Sequence, residues 1–348
     1  MDVGLFNAAR MGLVKGGAHQ DRQPLSRLGH FLMTARNAIS PRPPEFAPGV
    51  HEVGRGLSYT GNEILGNGSF GLVDLVGVGT RLPGRSGIEY GGARVLLAGA
   101  RKTLCATDER KEARHASIYQ RELDALRASA AEPHPHLQRL LALDDDRYIV
   151  TRLAVTNLKH YLATAPMPLP EAVRLARECC EGVRHLHALG YLHLDLKLSN
   201  ILIDAAGHAI VSDIGGNPID RVPRYAGQQP LPDNEPRSVK SDVFGLARLA
   251  FEMISGRSLL QPKRRGKSAF CFELCPRSLT RYLEGHLLRH PKCGMEVTDG
   301  RARRITCRDE TSSFAQTLVS ALGKSPEARP CMAVMLEAFD RFESFLEW

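Results

Sequence analysis

The spacing of apolar positions changes part-way along the chain. From Asn62 to Leu75 they alternate around glycines, the pattern of two strands joined by a Gly-rich turn. Thr80 to Gly92, rich in Gly and Arg, predicts a loop, and Ala93 to Leu104 a further strand. Asp108 to Ala128 shifts to helical spacing, with Ile118, Leu123 and Leu126 on one side. Leu140 to Leu143 and Tyr148 to Val150 flank the charged turn Asp144-Asp145-Asp146 and predict a strand pair. After Thr156 the helical period takes over. Leu169-Pro170-Glu171 opens a long helix carrying Val173, Leu175, Ala176, Val183 and Leu186, which stops at Leu189-Gly190. Ser241 to Ile254 is apolar enough for a buried helix, and Ser313 to Leu322 and Met332 to Phe345 predict two more. A strand-rich part of about 100 residues followed by a helix-rich part implies an α+β chain of two packed lobes rather than alternating βαβ units.

The first 55 residues lack sustained periodicity and end in Ser40-Pro41-Arg42-Pro43-Pro44. They predict a mobile tail with one short helix, Leu25 to Ala38, and then a linker. The expected division is a tail over 1–55, a first lobe over 56–154 and a second over 155–348, with a basic insertion over about 259–308.

Composition narrows the class. The 348 residues are 43% hydrophobic and 24% charged, as in a soluble globular protein. No run of about 18 apolar residues exists, so no membrane partner is expected. The N-terminus has no continuous apolar core of a signal peptide, which predicts an intracellular protein. Eight cysteines are scattered, and adjacent Cys179 and Cys180 lie in a helical pattern that suits buried thiols in a reducing compartment. The net charge of +8 equals the excess over residues 259–308 alone, where twelve Lys and Arg face four Asp and Glu. Such a stretch is a solvated basic insertion or a surface for acidic partners; nucleic acid is not expected as a partner.

Chemistry concentrates in three segments. Leu65-Gly66-Asn67-Gly68-Ser69-Phe70-Gly71-Leu72-Val73 spaces glycines so that backbone N–H groups can approach phosphate oxygens. A dinucleotide site would open a helix after such a turn, whereas Val73 to Val76 continues as a strand. In Tyr191 to Ile203, an Asp, a Lys two residues on and an Asn five residues on sit between apolar flanks that pin a polar loop. Asp195 can accept the proton of an attacking hydroxyl, Lys197 can neutralise a transferring phosphoryl group, and Asn200 can ligate a metal. Thirteen residues beyond Asn200, Asp213 follows an apolar strand and can supply a second oxygen ligand, a donor set suited to Mg²⁺.

Together these segments resemble the eukaryotic-type serine/threonine protein kinase family over about residues 58–345. The resemblance implies the bilobal protein kinase fold, with a small antiparallel-sheet first lobe and a larger helical second lobe. It implies ATP and Mg²⁺ as cofactors and proteins as substrates. Leu65, Gly66, Asn67, Gly68, Ser69, Phe70, Gly71 and Val73 would cover the nucleotide. Lys102, in Ala100-Arg101-Lys102, would hold its α/β-phosphates and pair with Glu122, with Glu112 a second candidate. Thr151 would be the gatekeeper, and Arg152 and Ala154 would lie at the adenine-binding hinge. Asp195 would be the catalytic base with Lys197 beside it, Asn200 and Asp213 would hold metal, and Asp242 would brace the catalytic loop. Lys197 favours Ser/Thr over Tyr as acceptor. On this reading Lys102→Ala abolishes transfer without unfolding, its partner Glu122 lying at a solvent-reachable cleft.

The departures also carry meaning. Leu194 stands where most members of the family have the Arg that receives an activation-loop phosphate, and Gly216 to Arg237 holds no Ser or Thr, Tyr225 being its one hydroxyl side chain. Both imply activity that does not depend on phosphorylation of that loop. The A-P-E element is unrecognisable in Gln228 to Pro232, which leaves Arg329 without an obvious partner unless Glu235 substitutes. These departures, with the Arg-, Ala- and Gly-rich texture, resemble the conserved tegument protein kinases of herpesviruses, which would place the chain in the host nucleus and virion tegument; bacterial effector kinases are the rival source.

Pro262-Lys263-Arg264-Arg265-Gly266-Lys267 fits a signal read by a nuclear import receptor through Lys263, Arg264, Arg265 and Lys267. Cys271, Cys275, His286, His290 and Cys293 invite a zinc reading, against which Leu279 to Leu288 reads as a helix with its own apolar face. A pseudokinase acting as a binding module, and a small-molecule phosphotransferase, are the alternatives to an active protein kinase.

Overall fold

A computed structural model of the chain describes residues 57–68, 71–80, 94–104, 109–144, 148–164, 166–215, 217–219, 237–259, 276–287, 296–298 and 304–347. Two compact units divide the chain: one runs to Leu158 and takes in Ser199–Ser212, and the other holds Lys159–Leu198 and Asp213 onward. The segment Ser199–Ser212 therefore groups with the strand-rich part, across the expected boundary at residue 154.

The first unit is built on a five-stranded antiparallel sheet in the order β1-β2-β3-β5-β4. Its strands are β1 (Leu57–Gly68), β2 (Gly71–Thr80), β3 (Arg94–Leu104), β4 (Leu140–Asp144) and β5 (Tyr148–Arg152). β1 and β2 pair as a hairpin with Gly68 opposite Gly71, and Gly66 faces Val73 two residues back. Helix α1 (Glu109–Ala131) buries Glu122, Leu123 and Leu126 on one side, as its 3.6-residue period requires. A second, three-stranded sheet, β6 (Thr156–Asn157), β8 (Ile201–Ile203) and β9 (Ala209–Val211), explains the grouping of Ser199–Ser212. Thr156 and Asn157 pair with Ile203 and Leu202, and Gln138 donates its N–H to the Val211 carbonyl at 2.9 Å.

The second unit is mainly helical: α2 (Leu158–Thr164, its first residue counted with the sheet unit), α3 (Leu169–Ala188), α4 (Val239–Ser255), α5 (Pro276–Leu287), α6 (Cys307–Ala321) and α7 (Met332–Glu347). Short pairs β7 (Tyr191–Leu192) with β10 (Asn217–Pro218), and β11 (Glu296–Thr298) with β12 (Arg304–Thr306), are added to the helices. The last pair was not expected from the sequence, because its strands are three residues each and lack an apolar run.

Sequence signals set the helix ends. α3 begins behind Pro168 with Pro170 in its first turn, where a missing N–H costs nothing, and Gly190 follows its end at φ 87°. α4 starts with a reciprocal cap: the Ser238 hydroxyl accepts from the Lys240 amide at 3.2 Å, and the Ser241 hydroxyl accepts from the Ser238 amide at 3.0 Å. It stops at Gly256, whose φ of 64° a side chain would strain. Every residue from Ser241 to Met253 is buried, so α4 is a core helix on all sides rather than an amphipathic one.

Ion pairs fix the neighbouring helices. Arg177 of α3 donates to Glu343 of α7 at 2.5 Å, and Arg341 of α7 binds Glu310 of α6. Beneath them Phe342 stacks on Phe314 at 4.3 Å between centroids, and Phe339 meets Phe314 edge-on at 5.4 Å. Cys179 and Cys180 are buried free thiols, and burial pushes both above the ordinary thiol range.

Phe342 is 1% exposed. Phe342→Ala is expected to cost about 3–5 kcal/mol, the usual range for deleting a buried aromatic ring. Urea unfolding of the variant beside the parent measures it; a loss below about 1 kcal/mol would contradict this packing.

Candidate active site

The sheet unit brings the glycine hairpin and Lys102 together. Lys102 on β3 is the cross-strand partner of Val73 on β2 and of Ile149 on β5. Its ammonium donates to both carboxylate oxygens of Glu122 on α1, each at 2.8 Å. Leu65, Gly66, Asn67 and Gly68 lie on β1, and Gly71 and Val73 on β2, while Ser69 and Phe70 lie outside the described residues. Glu122 is only 7% exposed, which corrects the expectation of a solvent-reachable partner. Removing Lys102 therefore strands a carboxylate in a buried setting, with a stability cost that accompanies any functional one.

Past β5, Ala154 packs with Leu202 of β8 and Ile210 of β9 in an apolar cluster. Thr151 is buried; its hydroxyl accepts from Nε2 of the Gln138 side chain at 3.0 Å and contacts the Ala100 carbonyl at 3.5 Å. Arg152 is exposed, 3.8 Å from Asp204. Asn200 is fully buried at the end of the single helical turn Leu198–Asn200, and its carbonyl accepts from both the amide and the hydroxyl of Ser212 at 2.9 Å. These two hydrogen bonds tie the residue before Asp213 to Asn200. Leu202 and Ile210 were missed as companions of Ala154, since short apolar strands do not announce which face they line.

The helical unit carries Asp195 on the loop after β7. Asp195 accepts from the Lys197 ammonium at 2.8 Å, and both side chains are about a quarter exposed, at 25% and 29%. The loop is anchored by Asp242 of α4, which is wholly buried. One of its oxygens accepts from the His193 amide and from His187 Nε2, the other from the Leu194 amide, all at 2.8 Å. Burial works against charge on this carboxyl, but His187, His193 and the Leu194 amide outweigh it and hold the group below its ordinary value. His187 was not foreseen, because it lies on α3, 55 residues away in sequence.

Two residues here adopt the left-handed backbone that side chains resist: Leu194 at φ 60° and Asp213 at φ 54°. Each such residue costs of order 1–3 kcal/mol and persists only where its surroundings dictate it. For Leu194 the surroundings are plain. Its amide is held by Asp242, and its fully buried side chain packs on Leu192 and Val239.

A further anchor was missed altogether. Arg248, also on α4, is 4% exposed and donates through its guanidinium to the Leu196 carbonyl. An arginine within the apolar run Val243 to Phe251 was the available signal.

Arg329 is buried. Its guanidinium donates to the carbonyls of Gly323 at 2.9 Å and Lys240 at 3.0 Å and lies over the Phe244 ring at 4.9 Å. Backbone carbonyls thus serve a cation for which the sequence offered only Glu235, which lies outside the described residues. The same holds for Lys263, Arg264, Arg265 and Lys267, for Cys271, Cys275, His290 and Cys293, and for the Leu25 to Ala38 segment. Of the zinc candidates only His286 is described, hydrogen-bonded to the Tyr282 hydroxyl at 3.0 Å. No helix among the described residues is long and apolar enough to cross a membrane.

The family model described as protein kinase domain matches residues 97–338, well over half of the chain. The chain belongs to the protein kinase family. Its antiparallel sheet and helical majority are those of the bilobal α+β kinase fold. Among curated relatives, the kinase domain is similar to the serine/threonine-protein kinase/endoribonuclease ire-1 of Caenorhabditis elegans, 27% identical over 49% of this chain and 16% of the relative. It is 29% identical to the serine/threonine-protein kinase GIN4 of Saccharomyces cerevisiae over 36% of this chain and 12% of that protein. A probable CTD kinase subunit alpha homolog of Encephalitozoon cuniculi is 27% identical over 46% of this chain and 43% of its own length. In each case the matched stretch spans under half of the relative.

The Asp242 anchor sets a pH dependence. Its carboxyl holds a proton less tightly folded than unfolded, so its stabilisation is full above the ordinary value of 3.8 and is lost as pH falls through the lower folded value. Asp242→Asn is expected to lower stability at neutral pH by about 1–3 kcal/mol and to flatten the acid limb of the stability profile. Denaturation from pH 7 to pH 2.5 compares the two; parallel profiles would contradict the assignment.

Proposed function

We propose that the chain is an ATP-dependent serine/threonine protein kinase that works without activation-loop phosphorylation. The observation that carries this reading is the loop from His193 to Asn200. Its backbone is fixed to a buried carboxylate, leaving Asp195 and Lys197 paired and reachable by solvent. A loop so anchored holds a proton acceptor and a cation at fixed positions, which is what positioning catalysis of phosphoryl transfer needs.

In this reading Lys102, steadied by Glu122, binds the phosphates of ATP, and the glycine hairpin covers them with backbone amides. The apolar cluster of Ala154, Leu202 and Ile210 offers a face for the purine ring. Asp195 orients the acceptor hydroxyl and takes its proton as the oxygen–phosphorus bond forms and the bond from the γ-phosphorus to the departing ADP breaks, while Lys197 balances charge on the moving phosphoryl group. Asn200 and Asp213 offer oxygen donors, the kind Mg²⁺ prefers, and these residues would hold it. Bound there, the ion would neutralise charge on the β- and γ-phosphate oxygens.

Serine/threonine specificity is supported by Lys197 and by the similarity to serine/threonine-protein kinases. Independence from activation-loop phosphate is supported by Leu194, whose apolar side chain is buried where a phosphate-binding arginine would stand. Among the alternatives, a binding module without catalysis is disfavoured by the intact Lys102–Glu122 and Asp195–Lys197 pairs.

Asp195→Asn and Lys102→Met are expected to lower ATP-dependent transfer to dephosphorylated casein by at least about 100-fold. Circular dichroism checks that each variant is folded. Parental rates in folded Asp195→Asn would end this reading. Phosphatase treatment of the purified chain is expected to leave the rate unchanged within twofold; a large drop mapped to residues 216–237 would refute the independence.

A further inference from the structure

α4 is buried on all sides, and its buried side chains are apolar or small except for Asp242, Arg248 and Glu252. Of these three, Asp242 and Arg248 touch the catalytic loop. Arg248 is 4% exposed, and its guanidinium donates to the Leu196 carbonyl, the peptide between Asp195 and Lys197. Its Nε is buried without a hydrogen-bond partner. A cation in such a place is expensive to bury, and its carboxylate neighbour Glu252 is one turn along the same helix. Burial disfavours charge on Arg248, opposed by the negative charges of Glu252 and Asp195. Glu252, itself buried, accepts from the Ser258 hydroxyl at 3.1 Å. Apolar packing alone would be satisfied better by leucine or methionine at this position, so stability does not account for the arginine.

We infer that Arg248 is a permanent brace of the catalytic loop, a positioning residue that fixes the Asp195–Lys197 turn through the Leu196 carbonyl. Its charge takes over the loop-ordering part for which Leu194 provides none. Leu194 is apolar, buried and held in a left-handed backbone, so it offers no cation to any phosphate. Arg248 reaches the same loop from the core and is always charged, so the loop stays ordered without a phosphate to order it. Asp242 fixes the loop before Asp195, at His193 and Leu194, and Arg248 fixes it just after, at Leu196. The residue between the two anchors is the proposed proton acceptor.

The inference rests on the proposed kinase reading, and its test separates the two. Full-length parent, Arg248→Met and Arg248→Lys are compared by thermal melting, by ATP-dependent transfer to dephosphorylated casein, and by amide hydrogen exchange of the peptide spanning Tyr191 to Ser199. Folded Arg248→Met is expected to lose about 10- to 100-fold in kcat, with KM for ATP within about twofold of the parent. Its exchange should accelerate in the loop peptide and remain parental in α3 and α7. Arg248→Lys, keeping charge but not the planar fork, should fall between the two in both readouts. A kcat within twofold of the parent for folded Arg248→Met, or exchange that rises uniformly across the unit, overturns the brace. Should Arg248→Met fail to fold, Arg248→Lys decides: intermediate values support the brace, and parental values leave Arg248 a folding residue only. If the parent shows no Asp195-dependent transfer, the kinase reading fails, while loop exchange still reports whether Arg248 holds Leu196.

Discussion

A single buried carboxylate organises the helical unit. Asp242 sits in the middle of the core and can remain charged there only because the His193 and Leu194 amides and the His187 ring supply hydrogen bonds. Those bonds also settle the shape of the loop. Leu194 is pushed into a backbone region that leucine resists, and the next residue, Asp195, is set beside Lys197. The cost of burying one charge is thus coupled to the cost of one strained residue, and each makes sense only with the other.

The sheet unit solves a different problem by similar means. Lys102 and Glu122 come from a strand and a helix 20 residues apart and meet in a largely buried pair. Neither would be tolerated alone at that depth, so β3 and α1 are held in register by the pair as well as by packing. The Asn200 carbonyl, accepting twice from Ser212, does the same for the segment that precedes Asp213. In both units polar groups sit inside because they fix position, and the apolar core around them supplies the bulk of the stability.

Much of this was legible in the sequence. Alternating apolar residues around Gly66, Gly68 and Gly71 marked the hairpin, and the helix limits of α3 followed from Leu169-Pro170-Glu171 and Leu189-Gly190. Asp195, Lys197, Asn200 and Asp213 stood out because polar residues there interrupt short apolar strands. What stayed hidden were partners supplied across long sequence separations. His187 binding Asp242, Arg248 binding Leu196 and carbonyl oxygens binding Arg329 leave no local pattern, since the chosen atoms belong to backbone or to a distant helix. The hairpin β11–β12 was missed for a simpler reason: three-residue strands fall below the length at which a period of two can be read.

The central claim is that this anchored loop moves phosphate from ATP to protein hydroxyls. Mass-spectrometric mapping of phosphosites, after the purified full chain is incubated with magnesium, ATP and a dephosphorylated cell extract, tests it most directly. The account predicts new phosphoserine and phosphothreonine that disappear when Asp195→Asn replaces the parent. Phosphate found only on tyrosine or on small metabolites, or sites equally abundant with the variant, would contradict it.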